Sequence, residues 1–214
     1  MFKIILNKSA IFIPKILSIV ITDIHIGIEK EYGINIVANI NKMVENILEI
    51  KNSTKAENLI ILGDVKHEIL KKEKYINYFF DKIENSFDKI IVCKGNHDAL
   101  IEKHIKFKNI KIKGARGFVI KNIGFFHGHA NPSISVKKCR KIFLGHFQPA
   151  IKIGEKIEKC FLISRKFVIL PSFNPITGYF NVREVNLPSF MKKTKLKFKI
   201  YLLNGTLLEE DLYL

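Results

Sequence analysis

Long apolar runs, cysteines and acidic residues are all scarce in this chain. Its apolar residues come in runs of about four to seven, too short to span a bilayer, which takes roughly 20 in a row. The opening MFKIILNKSAIFIPKIL is apolar and basic like a secretory leader, but Asn7, Lys8, Pro14 and Lys15 interrupt it. It reads instead as one or two strands, and the chain as cytoplasmic, with no membrane association. The three cysteines, Cys93, Cys139 and Cys160, are odd in number and lack metal-type spacing. No disulfide is expected, and Cys93, inside IIVCKG, reads as a buried core thiol. No linker, internal repeat or low-complexity segment is evident. With 47% hydrophobic residues, a disordered chain is excluded. A single domain over 1–214 is expected, with a motif-bearing part at 17–150 and a β-rich part at 151–214.

Acidic residues number 20 against 36 Lys and Arg, a formal charge of +16. Such a field draws polyanions and speeds their encounter. Lysine-rich surfaces also serve solubility or heat adaptation, so the charge alone leaves both readings open.

Five segments read as buried strands ending in polar residues: ILSIVITD, NLIILGD, KIIVCKGNHD, IGFFHGH and KIFLGHFQP. Each is a short β-rich apolar run of the kind covered on both faces. Helical spacing appears over 34–50, with Ile36, Ile40, Met43, Val44, Ile47 and Leu48. It recurs over 73–87, with Tyr75, Ile76, Phe79, Phe80 and Ile83. Strands alternating with helices predict a layered α/β fold. Beyond residue 150 the pattern is strand-like, with turns at Gly154, Pro171, Gly178, Pro188 and Gly205. The basic, alternating MKKTKLKFK at 191–199 reads as a solvent-facing strand.

The strand ends carry the chemistry. The first ends in Asp23 and His25, the second in Gly63-Asp64, and the third in Gly95-Asn96-His97-Asp98. The fourth ends in His127-Gly128-His129 and the fifth in Gly145-His146-Phe147-Gln148-Pro149. Ligands of open α/β sheets bind beyond these carboxyl ends. Glycines let the backbone turn sharply and bring the next side chain to a shared centre. Carboxylate, imidazole and amide oxygen suit divalent ions. Two such ions about 3.5–4 Å apart can clamp a phosphate and activate water.

The series DIH, GDVKH, GNHD, HGH and GHFQP resembles the calcineurin-like metallophosphoesterase family, over residues 23–149, about 60% of the chain. GDVKH with its extra His67, and LPSFNPITG at 170–178, look like the subgroup of bacterial ligase-associated DNA phosphoesterases and their archaeal relatives. The resemblance implies an α/β four-layer sandwich, two mixed β-sheets flanked by helices. It implies a phosphoric ester hydrolase with two divalent metal ions, manganese ahead of iron, zinc, nickel or magnesium. Asp23 and His25 would bind the first metal, Asp64 would bridge, and Asn96, His127 and His146 would bind the second. His97 would be catalytic, protonating the leaving group or stabilising the phosphoryl oxygens. Asp98 would orient it. Gln148 stands where the family has a second histidine, in Gly-His-x-His. It keeps a carbonyl oxygen for the first metal, a harder and weaker ligand than imidazole.

Plainer roles compete at several positions. Asp23 and Asp64 could cap turns, and Asp98 could cap a helix starting near Ala99. His67 and His129 are candidates for contact with substrate or for support of the site. His104, in the apparent helix IEKHIKFK, reads as surface. Lys103, Lys106, Lys108, Lys111, Lys113 and Arg116, and the cluster Lys137, Lys138, Arg140 and Lys141, either face solvent or grip phosphates.

The expected reaction is hydrolysis of a phosphodiester, in nucleic acid, by metal-activated hydroxide. The alternatives are a phosphoesterase for small phosphodiesters or monoesters such as cyclic nucleotides, and a catalytically weak scaffold that keeps the fold. Oligomeric state is left open.

Overall fold

The computed structural model describes residues 1–69, 74–103, 105, 107–184 and 196–213, the last five of these by backbone alone. Its strands form two sheets. The first contains β1 (Lys3–Ile4), β2 (Ile11–Ile13), β3 (Ser18–Ile21), β4 (Asn58–Ile61), β5 (Lys89–Cys93) and β6 (Ile110–Lys113), in that spatial order. The strands from β3 to β6 run parallel, while β1 and β2 add an antiparallel edge.

Helix α1 (Ile36–Thr54) joins β3 to β4, and α2 (Tyr75–Ile83) lies between β4 and β5. Both start and stop for local reasons. Asn35 caps α1 by accepting the Ala38 N–H, and Lys55 ends it in a left-handed conformation. The helix thus runs past the expected residue 50. The second is shorter than 73–87 because Glu84–Ser86 tighten into a 3-10 turn. One face of the sheet, with Ile19, Ile21, Leu59, Ile61, Ile90 and Val92, packs under Met43 and Ile47 of α1 and Phe79 and Phe80 of α2. Each fully buried phenylalanine contributes roughly 1.5–3 kcal/mol. The alternate residues Val20, Ile60, Ile91 and Cys93 face the other way, into a second core shared with the second sheet.

That sheet contains β7 (Phe118–Ile120), β8 (Ile123–Phe126), β9 (Lys141–Leu144), β10 (Pro149–Ile153), β11 (Lys156–Ile163), β12 (Phe167–Ile169), β13 (Phe180–Asn181), β14 (Lys197–Leu202) and β15 (Leu207–Tyr213). Its order is β13-β10-β11-β12-β9-β8-β7, with β14 pairing β11 and β15. It is mixed: β8, β9 and β12 are parallel, and β10–β11 and β14–β15 are hairpins. Short helix α3 (Ile134–Lys137) packs Val136 over Gly124 and Ile142. Phe143 points to the opposite face, where Phe2 meets it. The protein is thus α/β, two mixed sheets with helices, but the layer outside the second sheet is a single turn among the described residues.

All five expected motif strands are present, as β3, β4, β5, β8 and β9. Of the expected helix around IEKHIKFK, the described residues include a 3-10 turn at Ile101–Lys103. His104, Lys106, Pro188 and residues 191–195 lie outside the described residues. The three cysteines are buried free thiols. Among the described residues, no helix is long and apolar enough to cross a membrane.

Candidate metal centre

The loops after β3 and β4 stay zipped together once the strands have ended. Asp23 N–H donates to Gly63 O at 3.1 Å, His25 N–H to Asp64 O at 2.8 Å, and His67 N–H to Ile26 O at 2.9 Å. This zipper brings Asp23, His25, Asp64 and His67 to one side. The loop after β5 joins them where His97 N–H donates to Asp64 Oδ1 at 2.9 Å. The second sheet closes the ring: His146 N–H donates to Asp23 Oδ2 at 3.0 Å.

Backbone geometry marks the same residues. Asp23, His25, Asp64, His146 and Gln148 all have positive φ, between 42° and 68°. Such non-glycine conformations cost about 1–3 kcal/mol each and persist only where the surroundings impose them. Two glycines make the close approach. A Cβ on Gly95 would overlap the Asp64 carboxylate, and one on Gly145 would overlap Thr22 and Asp23.

The donors converge. His25 Nε2 lies 3.7 Å from Asp23 Oδ1 and 3.6 Å from Asp64 Oδ2. His127 Nε2 lies 3.2 Å from Asp64 Oδ2. The Gln148 side-chain N–H donates to Asp23 Oδ1 at 3.3 Å and the same nitrogen lies 3.3 Å from His25 Nε2, so the amide nitrogen, not the expected carbonyl oxygen, faces these groups. Three groups of donors each fall within 4.8 Å: Asp23, His25 and Asp64; Asp64, His127 and His146; His25, His67 and His97. Asp64 belongs to two of them. Asn96 is exposed at the loop tip, next to His97. His129 is exposed beside His127 and His146, with ring centroids 5.3 and 6.0 Å away.

The electrostatics call for a cation. Burial alone would raise Asp23 and Asp64, yet His25 and His127 hold both carboxyls below the usual range. Burial would lower His127, but the Asp64 hydrogen bond and the Asp23 and Asp64 charges push it up to about 9. His127 Nδ1 lies 2.5 Å from Leu62 O. A carbonyl only accepts, so Nδ1 carries a proton, and in the ring so held Nε2 carries the second one, facing the Asp64 carboxylate. That buried Nε2 lies 3.2 Å from Asp64 Oδ2, an ion-pair contact rather than a well-aligned hydrogen bond. The proton held between this nitrogen and the carboxylate stands where a divalent cation could take its place, with both groups as ligands. Burial and the neighbouring His127 keep His146 below its ordinary value, so it offers a lone pair.

One expectation is corrected. Asp98 does not orient His97: Val65 N–H (2.9 Å) and Lys66 N–H (3.3 Å) donate to one of its oxygens, and Gly95 N–H (2.9 Å) to the other. Nor does it cap a helix at Ala99. It is a buried clamp between the Asp64 and Gly95 loops. The partner of His97 Nδ1 is the His67 carbonyl.

Sequence reading missed a polar network behind the first group. Buried Asn174 donates to Ile24 O at 2.7 Å and accepts from Asn39 at 3.2 Å. Asn39 also donates to buried Glu29 at 2.7 Å, which in turn holds Gly27 N–H at 2.8 Å. Lys159 Nζ holds the Asn174 loop through Ser172 O (3.0 Å), Ser172 Oγ (2.8 Å) and Asn174 O (2.7 Å). His67 also touches the site, 3.4 Å from His25 Nδ1, and is tied by its other nitrogen to Glu31 at 2.7 Å. The LPSFNPITG motif contains Asn174 but gave it no role, and nothing in the sequence singled out Glu29, Glu31 or Lys159.

Fold and site together define a cluster of donors that could hold metal, at the carboxyl edge of two packed sheets. The chain belongs to the calcineurin-like phosphoesterase family, whose model matches residues 17–199. It is therefore a phosphoric ester hydrolase, of a family that uses divalent metals. Its fold is similar to that of the nuclease MPE of Pseudomonas putida, with a TM-score of 0.67, 20% identity, and 95% of this chain and 93% of that one covered. The E. coli phosphoesterase YfcE aligns at a TM-score of 0.43 and 17% identity, over 92% of this chain and 99% of that one. No curated protein sequence matches the chain.

Proposed function

We infer that the protein is a dinuclear phosphodiesterase that acts on nucleic acid. The observation that carries the dinuclear reading is Asp64, whose carboxylate serves two donor groups at once while His127 Nε2 faces it at 3.2 Å. Asp23, His25, Asp64 and Gln148 would hold one divalent cation, with manganese the first choice. Asp64, Asn96, His127 and His146 would hold the other. When bound, such cations neutralise phosphate oxygens and lower the pKa of water.

The chain's own groups supply the rest. With Nδ1 committed to the His67 carbonyl, His97 presents Nε2 to the substrate. Protonated there, it gives its proton to the departing alcohol oxygen. His67 and His129 border the same space. Nucleic acid is favoured by the +16 charge and by exposed Lys103, Lys108, Lys111, Lys113 and Arg116, which fall between the β5 and β8 motif loops.

The test is a metal-by-substrate screen with oligonucleotides, cyclic nucleotides and an aryl phosphodiester. Nuclease activity that needs Mn2+ and disappears in Asp64→Asn is expected. His97→Ala should keep its metal and lose most turnover. Hydrolysis of small esters alone would refute the nucleic-acid reading, and protein that binds no metal would refute the enzyme.

A further inference from the structure

Tyr179 and Phe180 are 50% and 60% exposed. Single exposed aromatics need no explanation, but the position of these two does. β13 begins at Phe180 and runs parallel to β10, pairing Phe180 with Pro149. Phe180 N–H donates to Gln148 O at 3.1 Å. The ring is therefore carried by a residue bonded directly to the main chain of a proposed metal ligand. The Phe180 and Val182 N–H groups bond Gln148 O and Ala150 O in turn, a ladder that puts both side chains on one side, and Val182 is fully buried in the core shared by the two sheets. Phe180 lies two residues nearer the ligand loops, where that core opens to solvent. On the chain's other side of Gln148, Phe147 lies edge-on to His146, with ring centroids 5.3 Å apart. Beside Gln148 the chain thus carries Phe147 in contact with His146, and Phe180 on the strand bonded to it, while the lysines lie along another segment.

We propose that Phe180, flanked by Tyr179, is a stacking platform for an unpaired nucleobase next to the scissile phosphate. This rests on the nucleic-acid reading and narrows it to single-stranded substrate. An apolar ring left in water beside a centre for phosphate esters suits a ligand that carries both an anion and a flat π-face. A nucleotide has both. A base inside a duplex is already stacked on both faces and offers no free face to the ring. Stacking tolerates every base, so the platform gives strand-state selectivity without sequence preference.

The test compares a 12-residue oligothymidylate with a 12-residue abasic strand of the same charge, using the Mn2+-loaded wild-type protein and the Tyr179→Ala/Phe180→Ala double variant. Both substituted side chains are exposed, so the variant should melt with the wild type. Wild type should favour the base-bearing strand through KM. The variant should lose roughly 5- to 150-fold in kcat/KM on that strand, the range base–aromatic stacking gives, and little on the abasic one. Phe180→Trp should retain the preference. A variant that still favours oligothymidylate, or a wild type indifferent to the bases, overturns the platform alone. A wild type that cleaves neither strand yet hydrolyses an aryl phosphodiester overturns the nucleic-acid reading and the platform with it.

Discussion

Asn174→Ala isolates the network behind the centre without touching a proposed ligand. In the native chain the amide fills three roles: it donates to Ile24 O at 2.7 Å and accepts from Asn39 Nδ2 and Ile176 N–H, each at 3.2 Å. Truncation leaves Asn39 with its second partner, Glu29. Ile24 O and Ile176 N–H are left without theirs. A buried group stripped of its partner costs about 1–3 kcal/mol. Water entering the space left behind offsets part of this, so a loss of about 2–4 kcal/mol follows. For a chain of this size that is a fall in Tm of about 4–16 °C. The more telling effect concerns metal. Ile24 lies between Asp23 and His25, and its carbonyl is the anchor that fixes both. Loosening such a support typically costs about 10- to 100-fold in metal affinity. Titration of metal-free protein with Mn2+ by calorimetry, beside thermal melts, reads both quantities. A variant that melts early yet binds Mn2+ as tightly as wild type would refute the reasoning: Asn174 would then stabilise the fold without positioning Asp23 and His25.

Other perturbations follow from the same geometry. Gln148→His puts an imidazole within reach of Asp23 and His25, and the weaker Mn2+ or Zn2+ affinity should rise by about tenfold or more; unchanged titrations would remove Gln148 from the metal. Gly95→Ala sets a Cβ against the Asp64 carboxylate; it should cost about 1–3 kcal/mol in urea denaturation and release metal with it. Burial holds Lys159 down at about 8, with Asp23 pulling the other way. The unfolded chain therefore binds the extra proton between pH 8 and about 10.4, so stability rises across that window, by up to about 3 kcal/mol. The contribution is complete above the unfolded pKa and lost as pH falls toward 8. Urea melts at pH 8 and 10 should show this slope in wild type and not in Lys159→Met.

The donors could be read from the sequence because strand chemistry announces them. A short β-rich run that stops at Gly-Asp, Gly-Asn-His or Gly-His has few other uses when five such runs recur in one chain. The supports behind them could not be read. Asn174 pairs with Ile24 across 150 residues, and no local pattern encodes a contact that distant. Glu29 looks like one more acid in IEKEY, yet it is fully buried because Gly27 and Asn39 supply its partners. Lys159 looks like an outward lysine on a strand, and it becomes half-structural only once Ser172 and Asn174 fold over it. Asp98 misled for a related reason. Adjacency to His97 suggested a pair, but backbone N–H groups from two loops were better acceptors' partners than a neighbouring ring that points away.

The positive-φ residues bind these observations together. Five left-handed backbones at about 1–3 kcal/mol each are a large outlay against a typical net stability of about 5–15 kcal/mol. Asn7, Leu17, Lys55, Leu100, Lys121 and Asn122 adopt the same conformation elsewhere among the described residues, but at this site five such residues are gathered in one place. What holds them is the inter-loop zipper, the Asp98 clamp and the Asn174 network, and all three converge on the same pair of carboxylates. Two like charges, Asp23 and Asp64, are thereby fixed beside each other and beside the buried His127 ring. A proton on His127 relieves this partly; divalent charge relieves it fully. The strained backbones, the supports and the negative field therefore meet at one place, the pair of carboxylates to which the proposed function assigns its cations.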